Sequence, residues 1–420
     1  MSEVFALLAR NPNYRRLWLA QVVSEVGDFF NNVAVLALVM ESSGSGVVVS
    51  GVLLARAFAS IAAGPLAGVL LDRMDRKRIM ILSDLVRAGI AAAFLITVFK
   101  PSPWLLYLLS ALLMFASPFF TSGRNAILPA LARGEQLRVA NALTQTTQWA
   151  TQSAGALLGG QAAARWGYAW SFLLNSLSFL VSAAAVACLR VPEGFRPAAH
   201  ESQPQGELRP WREYYAGLRY LRSIPLIFGI AMMTVGWAIG GGAAQVLFAL
   251  FGGRVFNRGA GGIGALWGFA GLGLLAGGLL GHALGRRLDF RAYKRTVAVA
   301  YLSHGLTYIA FSLTKNFTAA LGLILFSRVG MSVSSVLNNF YLLRYTRDEF
   351  RGRVFATIET LRWAVMATSF ALTGIVSARI SPRAIGAVAG ALGALTGLGW
   401  AWADMRGKLP LPEEAPDKHH

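Results

Sequence analysis

The chain has 420 residues, of which 55% are hydrophobic and 14% charged, and its formal net charge is +19. This composition excludes an ordinary soluble globular domain and indicates an integral membrane protein. The basic residues lie in short loops between apolar runs, where they orient helices and contact anionic lipid, so they do not require a nucleic acid partner. Cys188 is the single cysteine, which excludes an intramolecular disulfide and a cysteine-based metal site.

Apolar runs long enough to cross a bilayer recur along the chain, judged by about 20 residues per crossing. The first follows Arg10, Arg15 and Arg16 and is long enough to span the membrane rather than be cleaved as a signal. The sequence predicts spans at 17–40, 47–71, 79–99, 103–122, 139–164, 168–189, 224–250, 260–284, 293–313, 317–342, 354–378 and 384–403. Twelve spans are therefore expected.

The loops on one side of these spans hold most of the basic residues, in clusters such as 73–78, 286–295 and 347–353. Because cytoplasmic loops carry the excess of Lys and Arg, both termini are expected in the cytoplasm of a cell-membrane protein. The long polar interval after Arg190 contains four prolines and indicates a linker. The predicted organisation is a six-helix bundle (1–190), a cytoplasmic linker (191–222), a second six-helix bundle (223–405) and a cytoplasmic tail (406–420).

A short basic loop follows the second span at Gly68, Asp72, Arg73 and Arg76, continuing into Lys77 and Arg78. This pattern resembles the loop 2–3 signature of the major facilitator superfamily, G-x-x-x-D-R-x-G-R-[KR]-[KR]. Asp75 stands where most members have glycine, which is typical of the drug and siderophore exporter branch that includes macrolide efflux and enterobactin exporter proteins. Residues 24–28, 83–88, 124–129 after the fourth span, 140–143 and 351–354 match the same branch.

The resemblance implies an all-α integral membrane protein with twelve transmembrane helices in two pseudo-symmetric six-helix bundles, and a substrate cavity near the bilayer midplane. It also implies a monomeric secondary transporter that exports amphipathic drug- or siderophore-like molecules by proton antiport and alternating access. It further implies that Asp72 latches the cytoplasmic side by engaging the region of Arg351 and Arg353. Gly68, Asp72, Arg73, Arg76 and Arg353 are accordingly the predicted gating residues.

Polar side chains in the first span follow a helical stripe formed by Gln21, Glu25, Asp28 and Asn32. An ionisable group inside a membrane costs on the order of 2.5–3.5 kcal/mol and usually marks a pathway or a buried pair. Two carboxylates one turn apart disfavour each other's ionisation, so Asp28 and Glu25 are predicted to couple transport to protons. The alternative is that Asp28 is locked to Arg56 of the second span and only holds helices together.

The candidates for the substrate cavity include Gln21 and Asn32 of this stripe and Arg56 of the second span. Gln145, Gln148 and Gln152 share one face of the fifth span, where they either line a wet cavity or hydrogen-bond between helices. In the second half, the candidates are Trp237, Arg328, Glu359 and Arg362. Arg328 is predicted to meet an anionic substrate group or Glu359, whereas Glu359 and Arg362, one turn apart, form either a gate or a structural bridge.

The sequence contains no phosphate-binding G-x-x-x-x-G-K-[ST] loop, no metal-ligand cluster and no nucleophile–base pattern. We therefore expect neither an enzyme nor a cofactor or metal requirement; the expected partners are a small amphipathic substrate, protons and membrane lipids. A lysophospholipid or other lipid transporter of the same fold remains the nearest alternative. A transporter-like receptor is disfavoured because no soluble signalling domain is visible.

Overall fold

A computed structural model describes residues 2–190 and 210–412 of the chain. Within these ranges the structure is helical and contains no strand, which confirms the all-α fold. The helices are α1 (Ser2–Arg10), α2 (Pro12–Ser43), α3 (Gly46–Arg73), α4 (Arg76–Ala93), α5 (Leu95–Phe99), α6 (Pro103–Leu131), α7 (Glu135–Trp166), α8 (Tyr168–Ala187), α9 (Pro210–Ser223), α10 (Pro225–Leu250), α11 (Gly259–Gly285), α12 (Phe290–Leu313), α13 (Phe317–Tyr345), α14 (Asp348–Ser377) and α15 (Pro382–Met405).

Each of the twelve predicted spans corresponds to a long helical segment. Ten of these segments are apolar and long enough to cross a membrane, with α4 and α5 forming one segment and a π-helical turn, Phe251–Val255, extending α10. The other two, α7 and α14, are 32 and 30 residues long and carry more polar side chains.

Two helical segments differ from the sequence-based expectation. The fourth span was predicted to end at residue 122, but α6 continues to Leu131, so the motif at 124–129 lies inside the helix rather than after it. Helix α9 occupies the end of the predicted linker. Its Tyr220 ring stacks on Phe350 of α14 with ring centroids 4.4 Å apart, and the Tyr220 hydroxyl accepts a hydrogen bond from the Arg347 amide at 3.1 Å. Residues 191–209 of that linker and 413–420 of the predicted tail lie outside the described ranges.

The described residues form two compact units. The first comprises 2–190 together with Phe248–Gly268, and the second comprises 210–247 and 269–412. In the first unit α2 packs against α7 and α8, while α4 and α3 pack against α6. In the second unit α12 packs against α13 and α15. The domain boundaries given above stay a prediction.

The C-terminal end of α8 is held by side chains from two other helices. Arg16 of α2 donates to the Cys188 carbonyl at 2.8 Å, and Lys77 of α4 donates to the Leu189 carbonyl at 2.8 Å. Asn13 of α2 donates to the Arg190 carbonyl at 2.9 Å. The last carbonyls of a helix have no partner within the helix and carry partial negative charge, so cations stabilise them. This contact joins the ends of three helices of the first unit.

Candidate functional site

The polar stripe of α2 lies at the middle of a 32-residue helix, where Asp28 is 16 residues after Pro12. Gln21 is buried and Glu25, Asp28 and Asn32 are partly buried. Gly27 lies on the opposite side of this segment, where an added Cβ would come within 2.8 Å of Asn175 Oδ1 in α8. The glycine therefore lets α8 approach α2 closely.

Glu25 is bonded through both of its carboxylate oxygens. Its Oε1 accepts from Arg124 Nη1 at 3.1 Å and from Gln21 Nε2 at 2.9 Å, and its Oε2 accepts from the Thr151 hydroxyl at 2.7 Å. The side chains of Arg124 and Glu25 are only 9% and 17% exposed. This carboxylate ties α2 to α6 and α7 through a buried ion pair.

Asp28 has a much looser environment than Glu25. Its Oδ2 lies 4.0 Å from Arg87 Nη1 of α4, at the outer limit of an ion pair. Its Oδ1 is buried without a hydrogen-bond partner in the described part of the chain. Arg56, the predicted alternative partner of Asp28, donates a hydrogen bond to Asn32, one turn further along α2. Asp28 is thus held by weak contacts beside two cations.

Arg87 is anchored independently of Asp28. Its guanidinium forms an ion pair with Asp84 on the same helix, and it lies 4.7 Å and 4.3 Å from the ring centroids of Phe120 and Phe179. Arg87 and Asp84 are 2% and 0% exposed. A cation stacked on aromatic rings and paired with a buried carboxylate keeps its position whether or not a second carboxylate is charged.

Helix α7 presents two different polar faces. Its threonines contact α2: the Trp18 indole donates to Thr147 Oγ1 at 2.8 Å, and Thr151 donates to Glu25. Gln145 and Gln148 are exposed and Gln152 is partly exposed. The threonine face serves packing between helices, while the glutamine face stays open.

In the second unit, Arg328 lies in a small cavity together with Trp237, His304 and Tyr308. Arg328 is only 6% exposed, and its guanidinium lies 5.8 Å from the centroid of the Tyr308 ring. His304 Nδ1 lies 2.7 Å from the hydroxyl of Ser327, the residue before Arg328. The cavity therefore combines one buried cation with aromatic and imidazole groups from three helices.

Glu359 and Arg362 form a hydrogen-bonded ion pair on α14, and the Trp363 indole donates to Glu359 Oε1 at 2.9 Å. The Arg362 guanidinium lies 4.8 Å from the Trp363 ring centroid and 6.0 Å from that of Trp237. Trp237 thus connects this pair with the cavity around Arg328. The candidate site also contains four residues that were not among the predicted site residues: Arg124, Arg87, His304 and Tyr308.

The structure explains the aspartate at position 75, in the loop between α3 and α4. Asp75 caps α4, because its carboxylate accepts from the amides of Lys77 at 2.8 Å and Arg78 at 3.3 Å. Arg76 Nη1 donates to the Ala126 carbonyl of α6 at 3.2 Å. These contacts fix the start of α4 within its own unit.

The other predicted gating residues are Gly68, Asp72, Arg73 and Arg353. Arg73 is exposed, and an added Cβ on Gly68 would meet no atom within 4 Å. Arg353 lies with its guanidinium 5.5 Å from the Phe350 ring centroid. Asp72 belongs to α3, but its side chain lies outside what the structure describes. The described residues contain no group of three or more His, Cys, Asp or Glu side chains that could hold a metal ion.

Comparisons with known proteins agree with this architecture. The chain is 27% identical over 402 residues to the enterobactin exporter EntS of Escherichia coli, covering 92% of this chain and 90% of that protein. It is 26% identical over 179 residues to macrolide efflux protein A of Streptococcus pyogenes, covering 42% of this chain and 44% of that protein, less than half its length.

A solved bacterial homologue of the iron transporter ferroportin, in an inward-facing state, has the same fold, with a TM-score of 0.70. It is 16% identical, and the match covers 93% of this chain and 98% of that one. The model of the Major Facilitator Superfamily matches residues 17–367. The chain therefore belongs to the Major Facilitator Superfamily of membrane transporters, as an all-α integral membrane protein, and it is not an enzyme.

Proposed function

We propose that this transporter exports amphipathic small molecules, drug- or siderophore-like, in exchange for protons that bind at Asp28. The observation that carries the proposal is the contrast between the two carboxylates of α2. Glu25 is bonded by Arg124, Thr151 and Gln21, whereas Asp28 has one distant ion pair and one oxygen without a hydrogen-bond partner among the described residues. The two carboxylates are one helical turn apart but have different roles.

The charge balance supports Asp28 as the group that takes up the proton. Neutralising Asp28 leaves Arg87 paired with Asp84, and Arg56 keeps its hydrogen bond to Asn32. Neutralising Glu25 leaves Arg124 inside the unit without the carboxylate that accepts its hydrogen bond. An uncompensated buried charge is strongly unfavourable. Protonation is therefore less costly at Asp28, and Glu25 positions α2 against α6 and α7.

A proton on Asp28 changes the contact between α2 and α4. The attraction between Asp28 and Arg87 is lost, while Arg87 stays between Phe120 and Phe179. A conformational change of this kind is driven only by a difference in affinity between the two states of the transporter. We propose that the protonated and charged forms of Asp28 favour different states of an alternating-access cycle.

The proposed substrate path uses the open polar surfaces of the spans. Exposed amides such as Gln145 and Gln148 are costly against hydrocarbon, because a buried amide needs a hydrogen-bond partner. Water or a polar substrate at the glutamine face of α7 satisfies them. In the second unit, Trp237 and the Arg362 guanidinium offer a stacking surface, and Arg328 offers a positive charge to an anionic group on the substrate.

The gating part of the proposal concerns Asp72. Under it, the carboxylate at the end of α3 engages the region of Arg353 in one state of the cycle, with both termini in the cytoplasm. The open space around Gly68 leaves room for another segment to approach. The proposal is overturned if Asp72→Asn changes neither the transport rate nor the distribution between inward- and outward-open states.

Proteoliposomes with an imposed pH gradient test the coupling directly. Erythromycin, enterobactin and ethidium serve as substrates, and a pH-sensitive dye in the lumen reports proton movement. Asp28→Asn is expected to abolish gradient-driven accumulation while leaving exchange of labelled for unlabelled substrate intact. Glu135→Gln is the matched control, since Glu135 is an exposed carboxylate at the start of α7.

Full gradient-driven transport by Asp28→Asn would overturn the coupling role. Lysophosphatidylglycerol is included in the same assay because a lipid transporter is the competing function. The alternative is favoured if the protein transports the lysolipid without proton movement and does not transport erythromycin, enterobactin or ethidium.

A further inference from the structure

An apolar groove of about 770 Å³ lies in the second unit, beside α9, α10, α15 and the segment that follows α15. Its wall includes Phe228 and Met232 of α10 and Trp402 of α15, which are 38%, 41% and 48% exposed. A volume in this range suits a small-molecule or lipid ligand. The Arg328 cavity and the α2 carboxylates do not contribute to this groove.

Two cations stand at one end of the groove, Arg222 and Lys408. Arg222 is three residues before the span that begins at Pro225, and Lys408 is three residues after the span that ends at Met405. Both cations are exposed. Their positions place them at the level of the lipid headgroups, just outside the hydrocarbon.

The rest of the groove runs inward from this surface. From Pro225 to Met233 it follows α10 over eight residues, which is about 12 Å along the helix axis. The wall along this depth is aliphatic, aromatic and glycine-rich. One end of the groove therefore suits an anion and the remainder suits a hydrocarbon chain.

No acidic side chain competes for the two cations among the described residues that line the groove. The nearby carboxylate of Asp404 is engaged by Lys294 at 2.5 Å. The Lys408 ammonium lies 4.3 Å from the centroid of the Trp402 ring, which holds it over the groove. Tryptophan at this depth is typical of the membrane interface.

We propose that this groove binds an anionic glycerophospholipid of the surrounding bilayer, with its phosphate at Arg222 and Lys408 and one acyl chain along α10 and α15. Basic pockets between transmembrane helices bind anionic headgroups in this way. The lipid joins the start of α10 to the end of α15.

Lipid titration of the full chain in detergent, followed by native mass spectrometry, tests the headgroup contact. The probes are phosphatidylglycerol and phosphatidylcholine with identical acyl chains. Phosphatidylglycerol is expected to bind more tightly, and the double variant Arg222→Gln, Lys408→Gln to weaken it about 25-fold, at about fivefold per cation. The control, Arg219→Gln with Arg286→Gln, removes the same charge from exposed arginines outside the groove.

Gly399→Leu tests the acyl-chain contact. Gly399 lines the groove, and an added Cβ there would meet no atom within 4 Å, so leucine fills the groove without disturbing the helix. Binding of phosphatidylglycerol is expected to fall at least about tenfold relative to Gly322→Leu, a glycine of α13 with equally open space. The proposal is overturned if the protein binds the two lipids with equal affinity. It is also overturned if the groove variant and the control variant lose the same affinity for phosphatidylglycerol, or if Gly399→Leu leaves that affinity unchanged.

Discussion

The contrast between Glu25 and Asp28 leads to opposite expectations for two matched substitutions. Glu25→Gln keeps the shape of the side chain but removes the charge that neutralises Arg124, whose Nη1 lies 3.1 Å from Glu25 Oε1. The Arg124 side chain is only 9% exposed. Removing one partner of a buried ion pair costs about 3–5 kcal/mol. At about 2–4 °C per kcal/mol for a unit of this size, the melting temperature should fall by on the order of 6–20 °C.

Asp28→Asn should have a much smaller effect on stability. The attraction of Asp28 to Arg87, 4.0 Å away, is opposed by repulsion from Asp84 and from Glu25. These contributions partly cancel, and Arg87 retains Asp84 as its counter-charge. We expect a change within about 1 kcal/mol, the size of a weak ion pair, together with the loss of proton coupling described above.

The assay is thermal unfolding of the detergent-solubilised protein at one fixed scan rate, because membrane proteins of this size often unfold irreversibly. The double variant Glu25→Gln, Arg124→Gln completes a thermodynamic cycle, since it removes both charges and should recover most of the loss. The reasoning fails if Asp28→Asn lowers the melting temperature as much as Glu25→Gln, or if the double variant is no more stable than Glu25→Gln alone.

Three further substitutions test the packing of the first unit by the same thermal assay. Asp75→Ala should lose about 1 kcal/mol because it removes the cap of α4, whereas Asp75→Asn should keep it; equal losses would contradict the capping role. Gly27→Ala should lose about 1–3 kcal/mol by overpacking against α8, while Gly64→Ala, where no atom lies within 4 Å, should lose nothing. Arg87→Lys should lose about 1–2 kcal/mol, because a lysine cannot keep the stacking on two rings while it pairs with Asp84; parental stability would refute that.

The spans were predictable because a bilayer imposes a length and a composition on every crossing. Pairs within one helix were predictable because helical spacing brings residues three apart together. Glu359 and Arg362 are one turn apart, and they form an ion pair in the structure. Helix α9 was missed because its apolar residues are interrupted by arginines. The end of α6 was predicted too early because residues 124–129 were assigned to the segment after the fourth span, whereas Arg124 lies within α6 and pairs with Glu25 inside the unit.

Partners on distant helices could not be derived from spacing. Arg124 is 99 residues from Glu25, and only the packing of α2 on α6 brings them together. Arg56, the partner of Asp28 in the alternative interpretation, donates its hydrogen bond to Asn32. The rotation of α3 and α4 about their axes decides which cation faces Asp28, and hydrophobic periodicity does not fix that rotation to within one residue.

The basic side chains that hold the end of α8 are also expected to act during membrane insertion. In the predicted topology, Arg16 and Lys77 belong to the basic segments that are expected to orient the nascent helices during insertion. In the folded unit the same charges donate to the Cys188 and Leu189 carbonyls. These contacts cannot form until α8 has been inserted, so they complete only after the last helix of the first half has left the insertion machinery. The same charges are therefore expected to act twice, first in orienting the helices and later in holding the end of α8.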